Sequence, residues 1–238
     1  MRKFFKFSPN FSKKKRNFND IKFVIIHYTG MQSEIESIKR LINPKSKVSC
    51  HYLINRRGHV IQMVKDEKVA WHAGKSKWKK FKNLNKNSLG IELVNKGHRW
   101  GYQSFTNKQV NSLILLCKKL KKKYKIKSEN FLGHSDIAPL RKNDPGEKFP
   151  WERLSKNQIG KWYNKTKKRT EIKFNNLKIT TDKIFFKNLD KIGYRYFDVN
   201  NRSPSDKKII KCFQQHFLPN NVNGKIDKKT LKISHFLI

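Results

Sequence analysis

The run Lys22-Phe23-Val24-Ile25-Ile26-His27 is almost unbroken in apolar side chains, rich in β-branched residues, and stops on a histidine. A segment of that length and composition reads as a strand buried at the centre of a sheet. Working outward, Ser33 and Glu36 form a capping box ahead of Ile35, Ile38, Leu41 and Ile42, which predicts a short amphipathic helix over 34–42 that stops at Asn43-Pro44. Cys50 to Ile54 and His59 to Val64 are strand-like and flank the turn Asn55-Arg56-Arg57-Gly58, a hairpin pattern. A polar loop runs from Trp71 to Lys86. The next strand is Ser88 to Asn95 (SLGIELVN), with Leu89, Ile91 and Leu93 on one face and Glu92 on the other. Thr106 and Gln109 cap the clearest helix, whose apolar face is Val110, Leu113, Ile114, Cys117, Leu120 and Tyr124. Phe131 to His134 is a short strand end, and an amphipathic segment is expected over 155–164.

From Lys165 to Thr181 the sequence turns polar and aperiodic, which reads as a linker. Beyond it Ser203-Pro204 opens a helix with Ile209, Ile210, Phe213 and Phe217 on its apolar face. Asn223-Gly224 is a turn, and Asp227 caps a last short helix containing Leu231.

The 238 residues are 36% hydrophobic and 12% aromatic, too apolar for a disordered chain despite 31% charged residues. Lys and Arg number 56 against 17 Asp and Glu, a net charge of +39. Such a field favours anionic partners. Because the lysines are spread along the whole chain, a general compositional bias explains them better than nucleic-acid binding does. Cys50, Cys117 and Cys212 lie far apart, which argues against a disulfide scaffold and a cysteine-only zinc site. No stretch approaches the ~18 apolar residues of a membrane-spanning helix. The basic N-terminal segment is not followed by the apolar run of a signal peptide, so cytoplasmic residence is the default expectation, with a periplasmic or wall-associated location as the alternative.

Two kinds of residue carry possible chemistry. His27 and His134 each end a strand, and Asp144 follows ten residues after His134. Two imidazoles and a carboxylate make a sensible zinc set with a fourth position open to water, although a histidine at a strand end is more often a packing residue. Glu92 sits in a strand among apolar neighbours, where an unpaired carboxylate is costly. Burial would raise its pKa toward that of a general base. An edge strand with Glu92 in solvent, or a lysine salt bridge, are equal alternatives on the residues alone.

Taken together, Ile25-Ile26-His27-Tyr28-Thr29-Gly30 resembles the first-ligand motif of zinc-dependent N-acetylmuramoyl-L-alanine amidases of the type-2 amidase and peptidoglycan-recognition-protein superfamily. Further matches follow in family order: Val48 to Ile54, Trp71-His72-Ala73-Gly74, Leu89 to Asn95, Gly133 to Pro139, and Lys142-Asn143-Asp144-Pro145-Gly146. The resemblance spans residues 8–155. A shorter, more degenerate likeness to a peptidoglycan-binding module covers Ile209 to Phe217 and Asn223 to Asp227.

The resemblance implies an α/β fold with a central mixed β-sheet flanked by helices, plus a small all-α C-terminal module. It implies one zinc ion held by His27, His134 and Asp144, with Glu92 as catalytic base and Lys142 stabilising the oxyanion. It places His51 and His72 around the site, with Trp71, His72 and Asn95 as groove residues. The expected organisation is a catalytic domain at 8–164, a linker at 165–184 and a helical module at 185–238. The expected substrate is peptidoglycan or a muropeptide, acted on by a monomer with no nucleic-acid partner. The rival readings are a non-catalytic peptidoglycan receptor, which should have lost some catalytic positions, and a charge-driven nucleic-acid binder, which leaves the ordered motifs unexplained.

Overall fold

In the computed structural model, which describes residues 3–163 and 180–238, the opening run forms a central strand. In chain order the strands are β1 (Lys3–Phe5), β2 (Phe11–Ser12), β3 (Phe23–Tyr28), β4 (Tyr52–Ile54), β5 (Val60–Gln62), β6 (Val69–Ala70), β7 (Lys77–Trp78), β8 (Phe81–Lys82), β9 (Ser88–Leu93) and β10 (Phe131–Gly133). The helices are α1 (Glu34–Ile42), α2 (Asn107–Tyr124), α3 (His134–Ile137), α4 (Trp151–Ser155), α5 (Thr181–Ile192), α6 (Asp206–Phe217) and α7 (Lys228–Phe236). Six strands build one sheet in the order β1-β5-β4-β9-β3-β10. Only the β4–β5 hairpin pair is antiparallel; the other pairings are parallel, so the expected mixed sheet is present.

The two-residue period of β3 and β9 divides the molecule. Val24 and Ile26 of β3, with Leu89, Ile91 and Leu93 of β9, meet Val110, Leu113, Cys117 and Leu120 of α2 in one core. The buried Gln109 completes the capping box with Thr106, and its side-chain amide donates to the carbonyls of Ile54 and Val94, tying α2 to the sheet. Phe23 and Ile25 point the opposite way, into a second core with Leu132, Ile137, Phe185, Tyr194, Phe213 and Phe217. A small third cluster sets Leu41 of α1 against Cys50, Leu53 and Met63.

That second core joins the C-terminal helices to the sheet. Helix α5 begins at Thr181, four residues before the expected module, with Thr180 as its N-cap and Gly193 at φ 135° as its end. Sequence reasoning missed it although Phe185, Phe186, Leu189 and Ile192 are spaced for one face. The expected linker falls mostly on 164–179, outside the described residues.

The amphipathic segment expected over 155–164 is corrected to the shorter α4, which ends at Ser155. Gln158 and Gly160 then take φ of 60° and 79°, which no helix continues through. The regular part of α6 begins at Asp206, and the turn before it has Ser203 as its cap: the Asp206 carboxylate accepts from the Ser203 N–H and the Ser203 hydroxyl from the Ser205 N–H. Asp227 caps α7 as expected, accepting from the Thr230 N–H.

Candidate active site

The site lies at the carboxyl ends of the parallel strands, where open α/β sheets characteristically bind ligands. Register builds it. His27 of β3 pairs directly with Glu92 of β9, and Gly133 of β10 pairs with Ile26, so His134 emerges beside His27. Neighbouring strands are ~4.8 Å apart, and three chemically active side chains are thereby fixed by backbone pairing alone. The Ser135 N–H donates to the Asp144 carbonyl at 2.8 Å, which brings the Asp144 loop back onto α3.

His27 Nδ1, His134 Nδ1 and Asp144 Oδ2 converge at 2.9–3.1 Å from one another. All three residues are buried. The far nitrogens of the two rings are engaged elsewhere. His134 Nε2 lies 3.1 Å from the Ala73 carbonyl, to which it donates. On the His27 side a relay sets the proton: the Ser88 hydroxyl donates to the Leu84 carbonyl at 2.6 Å and accepts from His72 Nε2–H at 3.3 Å, leaving His72 Nδ1 to accept from His27 Nε2–H at 3.1 Å. Both Nδ1 atoms therefore carry lone pairs, aimed at each other and at a carboxylate oxygen. That arrangement repels itself unless a cation sits among the three, so the residues fit a metal ion.

Electrostatics point the same way. Burial, followed by the neighbouring His134, lowers the His27 pKa to about 4, which keeps its ring neutral and able to ligate. Burial would raise the Asp144 pKa, but His134 and His27 outweigh it and hold the carboxylate ionised well below its ordinary range. His72 is also kept neutral, pushed well below its ordinary pKa by burial and then by His27.

Glu92 lines the same cavity of about 740 Å³ as His27, His134, Asp144, Lys142 and Trp71. Its pKa is pushed up to about 8, first by burial and then by the charge of Asp144, while Lys142 pulls it down. Its Oε2 is buried with no hydrogen-bond partner. The edge-strand and salt-bridge alternatives are thus excluded: β9 lies in mid-sheet, and no ion pair among the described residues involves Glu92.

The remaining candidates divide. Trp71 is half-buried on the cavity wall and its indole N–H donates to the Ser12 hydroxyl at 3.3 Å. His72 lies beneath His27 as its orienting partner. Asn95 is turned to another use: its amide donates to the Gln103 carbonyl and its oxygen accepts from the Gly97 and Gln103 N–H groups, bracing the loop that follows β9. His51 accepts from the Gly90 N–H at 3.0 Å, one layer below the ligands.

Three residues escaped sequence reasoning. Arg141 donates to the carbonyls of Ala73 and Lys75, holding the Trp71–Gly74 loop against His134. Ser88 ends the His72 relay. Asp136 lies two residues past His134 and is 1% exposed. Its carboxylate accepts from the Gly133 N–H at 2.7 Å, from the Tyr194 hydroxyl at 2.5 Å and from His216 Nδ1–H at 2.8 Å. His216 in turn stacks on Trp151 with ring centres 4.0 Å apart. The only advance signal for Asp136 was a carboxylate within the Gly133–Pro139 motif.

A buried carboxyl beside three converging metal-type donors is an arrangement suited to hydrolysis. Comparison with known proteins is specific. Residues 17–147 match the family described as N-acetylmuramoyl-L-alanine amidase. The N-acetylmuramoyl-L-alanine amidase AmiD of Escherichia coli strain K12 is 34% identical over 232 residues, covering 92% of this chain and 82% of that protein. The 1,6-anhydro-N-acetylmuramyl-L-alanine amidase AmpD of Haemophilus influenzae is 35% identical over 164 residues, 61% of this chain and 86% of that one.

Among solved structures, AmiD from E. coli in complex with the substrate anhydro-N-acetylmuramic acid-L-Ala-D-γ-Glu-L-Lys superposes with a TM-score of 0.79 at 31% identity, over 95% of this chain and 91% of that one. AmpDh3 from Pseudomonas aeruginosa, in complex with an anhydromuramic pentapeptide, gives a TM-score of 0.82 at 29% identity, over 95% and 93% of the two chains. The chain belongs to the N-acetylmuramoyl-L-alanine amidase family. The fold and activity expected from the motifs are therefore borne out.

Proposed function

We propose that the activity is exercised on the lactyl amide joining N-acetylmuramic acid to L-alanine in peptidoglycan or its muropeptides, with one zinc ion held by His27 Nδ1, His134 Nδ1 and Asp144 Oδ2. The observation that carries the reading is the His27–Glu92 register, which sets a base and a metal ligand side by side on one face of the sheet. When bound, zinc supplies a Lewis-acid charge that polarises the amide carbonyl and brings the pKa of water toward ~7. Glu92 Oε2, partnerless in its buried position, takes the proton from the attacking water and returns one to the alanine nitrogen as it leaves. Lys142, on the same cavity wall, offers its ammonium to the oxyanion that develops on the carbonyl oxygen. Trp71 offers its exposed ring face to the sugar or the peptide. Within this reading residues 8–164 carry the chemistry, and the helices from α5 onward would form a module that holds peptidoglycan.

A muropeptide incubated with the protein should yield a free peptide with an N-terminal alanine, read by mass spectrometry. Purified protein should hold one zinc per chain, and His134→Ala should lose it. Glu92→Gln should keep the zinc yet turn over roughly 10²-fold more slowly. Tight zinc in His134→Ala, or near-normal turnover in Glu92→Gln, would break the assignment of that residue. The receptor reading would gain only if wild-type protein bound the fragment and released no peptide.

A further inference from the structure

A second cavity, of about 610 Å³, meets the catalytic one at the segment Arg141–Asn143, which lines both. Its far wall is α6. That helix lies directly against the segment bearing the catalytic lysine: the buried Cys212 thiol sits 3.8 Å from the Lys142 carbonyl and 3.6 Å from that of Pro139. Lys208, Lys211 and Gln215 stand at i, i+3 and i+7 on α6, on one stripe, and all three line the cavity.

The chemistry of that wall is lopsided. Lys208 and Lys211 are exposed, and neither joins an ion pair among the described residues. The one acid in the lining, Glu147, is committed to His98 at 3.0 Å and to the Gln215 amide at 3.3 Å. Gln215 is 8% exposed, and with its nitrogen donating to Glu147 its Oε1 is a buried acceptor without a partner. Two uncompensated ammonium groups beside a lone acceptor suit a peptide segment that brings a carboxylate and an N–H together.

We propose that this cavity is a carboxylate-binding subsite for the peptide side of the substrate, with Lys208 and Lys211 holding the carboxylate and Gln215 Oε1 accepting a peptide N–H. The inference rests on the amidase reading and extends it. A chain leaving the scissile amide advances ~3.3–3.6 Å per residue, so the second and third residues carry their carboxylates roughly 7–11 Å from it. In a stem such as L-Ala-D-γ-Glu-L-Lys the γ-linkage leaves the glutamate α-carboxylate free, and the terminal lysine bears another.

The test compares anhydromuramoyl tripeptides that carry the free acid, the α-carboxamide at the glutamate, or a carboxamide at the terminal lysine. Wild-type protein should favour the free acid over one of the amides in kcat/KM by roughly five- to tenfold, the range of two partly exposed ion pairs. Lys208→Gln/Lys211→Gln should erase that preference, mainly through KM. The amide that wild type handles poorly identifies which carboxylate is held. Calorimetry with the released tripeptide L-Ala-D-γ-Glu-L-Lys gives a reading independent of hydrolysis and should show the same lysine dependence. Equal handling of all three substrates by wild type, or a preference that survives in the double variant, overturns the subsite while leaving the amidase standing. Lysine-dependent binding of the peptide without cleavage of any substrate keeps the subsite and fells the amidase reading.

Discussion

Glu92 and His72 show how much of the site is set by single buried groups. Burial, and then the charge of Asp144, push the Glu92 carboxyl from 4.5 up to about 8 when no metal is bound. Across that window the unfolded chain has shed a proton that the folded chain keeps, so stability contributed below pH 4.5 drains away as pH rises toward 8. Glutamine at 92 cannot titrate. Metal-free Glu92→Gln should therefore melt close to wild type at pH 4.5 and a few degrees above it at pH 8; a gap independent of pH would remove the buried-proton account. On the zinc reading, His72 would act on the metal through the His27 tautomer. His72→Ala should weaken zinc by roughly 10–100-fold in a chelator competition, the usual cost of losing a ligand's orienting partner. Gly90→Ala should do the same from below, because a Cβ there would stand 2.4 Å from the His72 ring. Unchanged zinc affinity in both variants would show that the His27 ring holds its tautomer unaided.

Among the elements, α5 and α6 have the most to say about the C-terminal module. Tyr194 follows α5 and His216 lies on α6, and both bind Asp136, which sits in α3 two residues after His134. Phe185 and Phe213, fully buried, pack in the same core as Phe23 and Ile25 of β3. Each such ring buried contributes about 1.5–3 kcal/mol. Removing residues 180–238 should accordingly lower the melting temperature by more than ten degrees and slow the cleavage of small soluble muropeptides as well as of insoluble wall. A truncated protein that melts normally, cleaves soluble fragments normally and loses only its hold on the wall would show instead that these helices serve purely as a tether.

Across the whole molecule, what could be read in advance was whatever has a local period or a local cap. The buried run 22–27, the Ser33, Thr106 and Asp227 caps and the faces of SLGIELVN all follow from neighbours within a few residues, and each stands in the structure as read. The ligand cluster was legible only through the motif resemblance, since nothing local says that His27 and His134 meet. Asp136, Ser88 and Lys208 were silent because their roles depend on partners supplied by tertiary packing: an acid in a short helix, a hydroxyl at a strand start, and one lysine among many. The bracing role of Asn95 was silent for the same reason, since its motif position does not disclose that its amide meets Gln103 and Gly97. The net charge of +39 gave no guide to the fold; it acquires local meaning where, as on α6, Lys208 and Lys211 line a cavity without joining an ion pair among the described residues.

The long span between the two histidines also has a consequence in time. His27 and His134 are 107 residues apart, and Asp144 lies 117 from His27. At ~5–20 residues per second of synthesis, the first ligand leaves the ribosome on the order of ten seconds before the last. During that interval the nascent chain offers a passing metal ion one imidazole and no cage. Tyr194 and His216, the clasps on Asp136, emerge later still. A metal held by these three residues would thus find its cage only after the sheet has brought distant parts of the chain together.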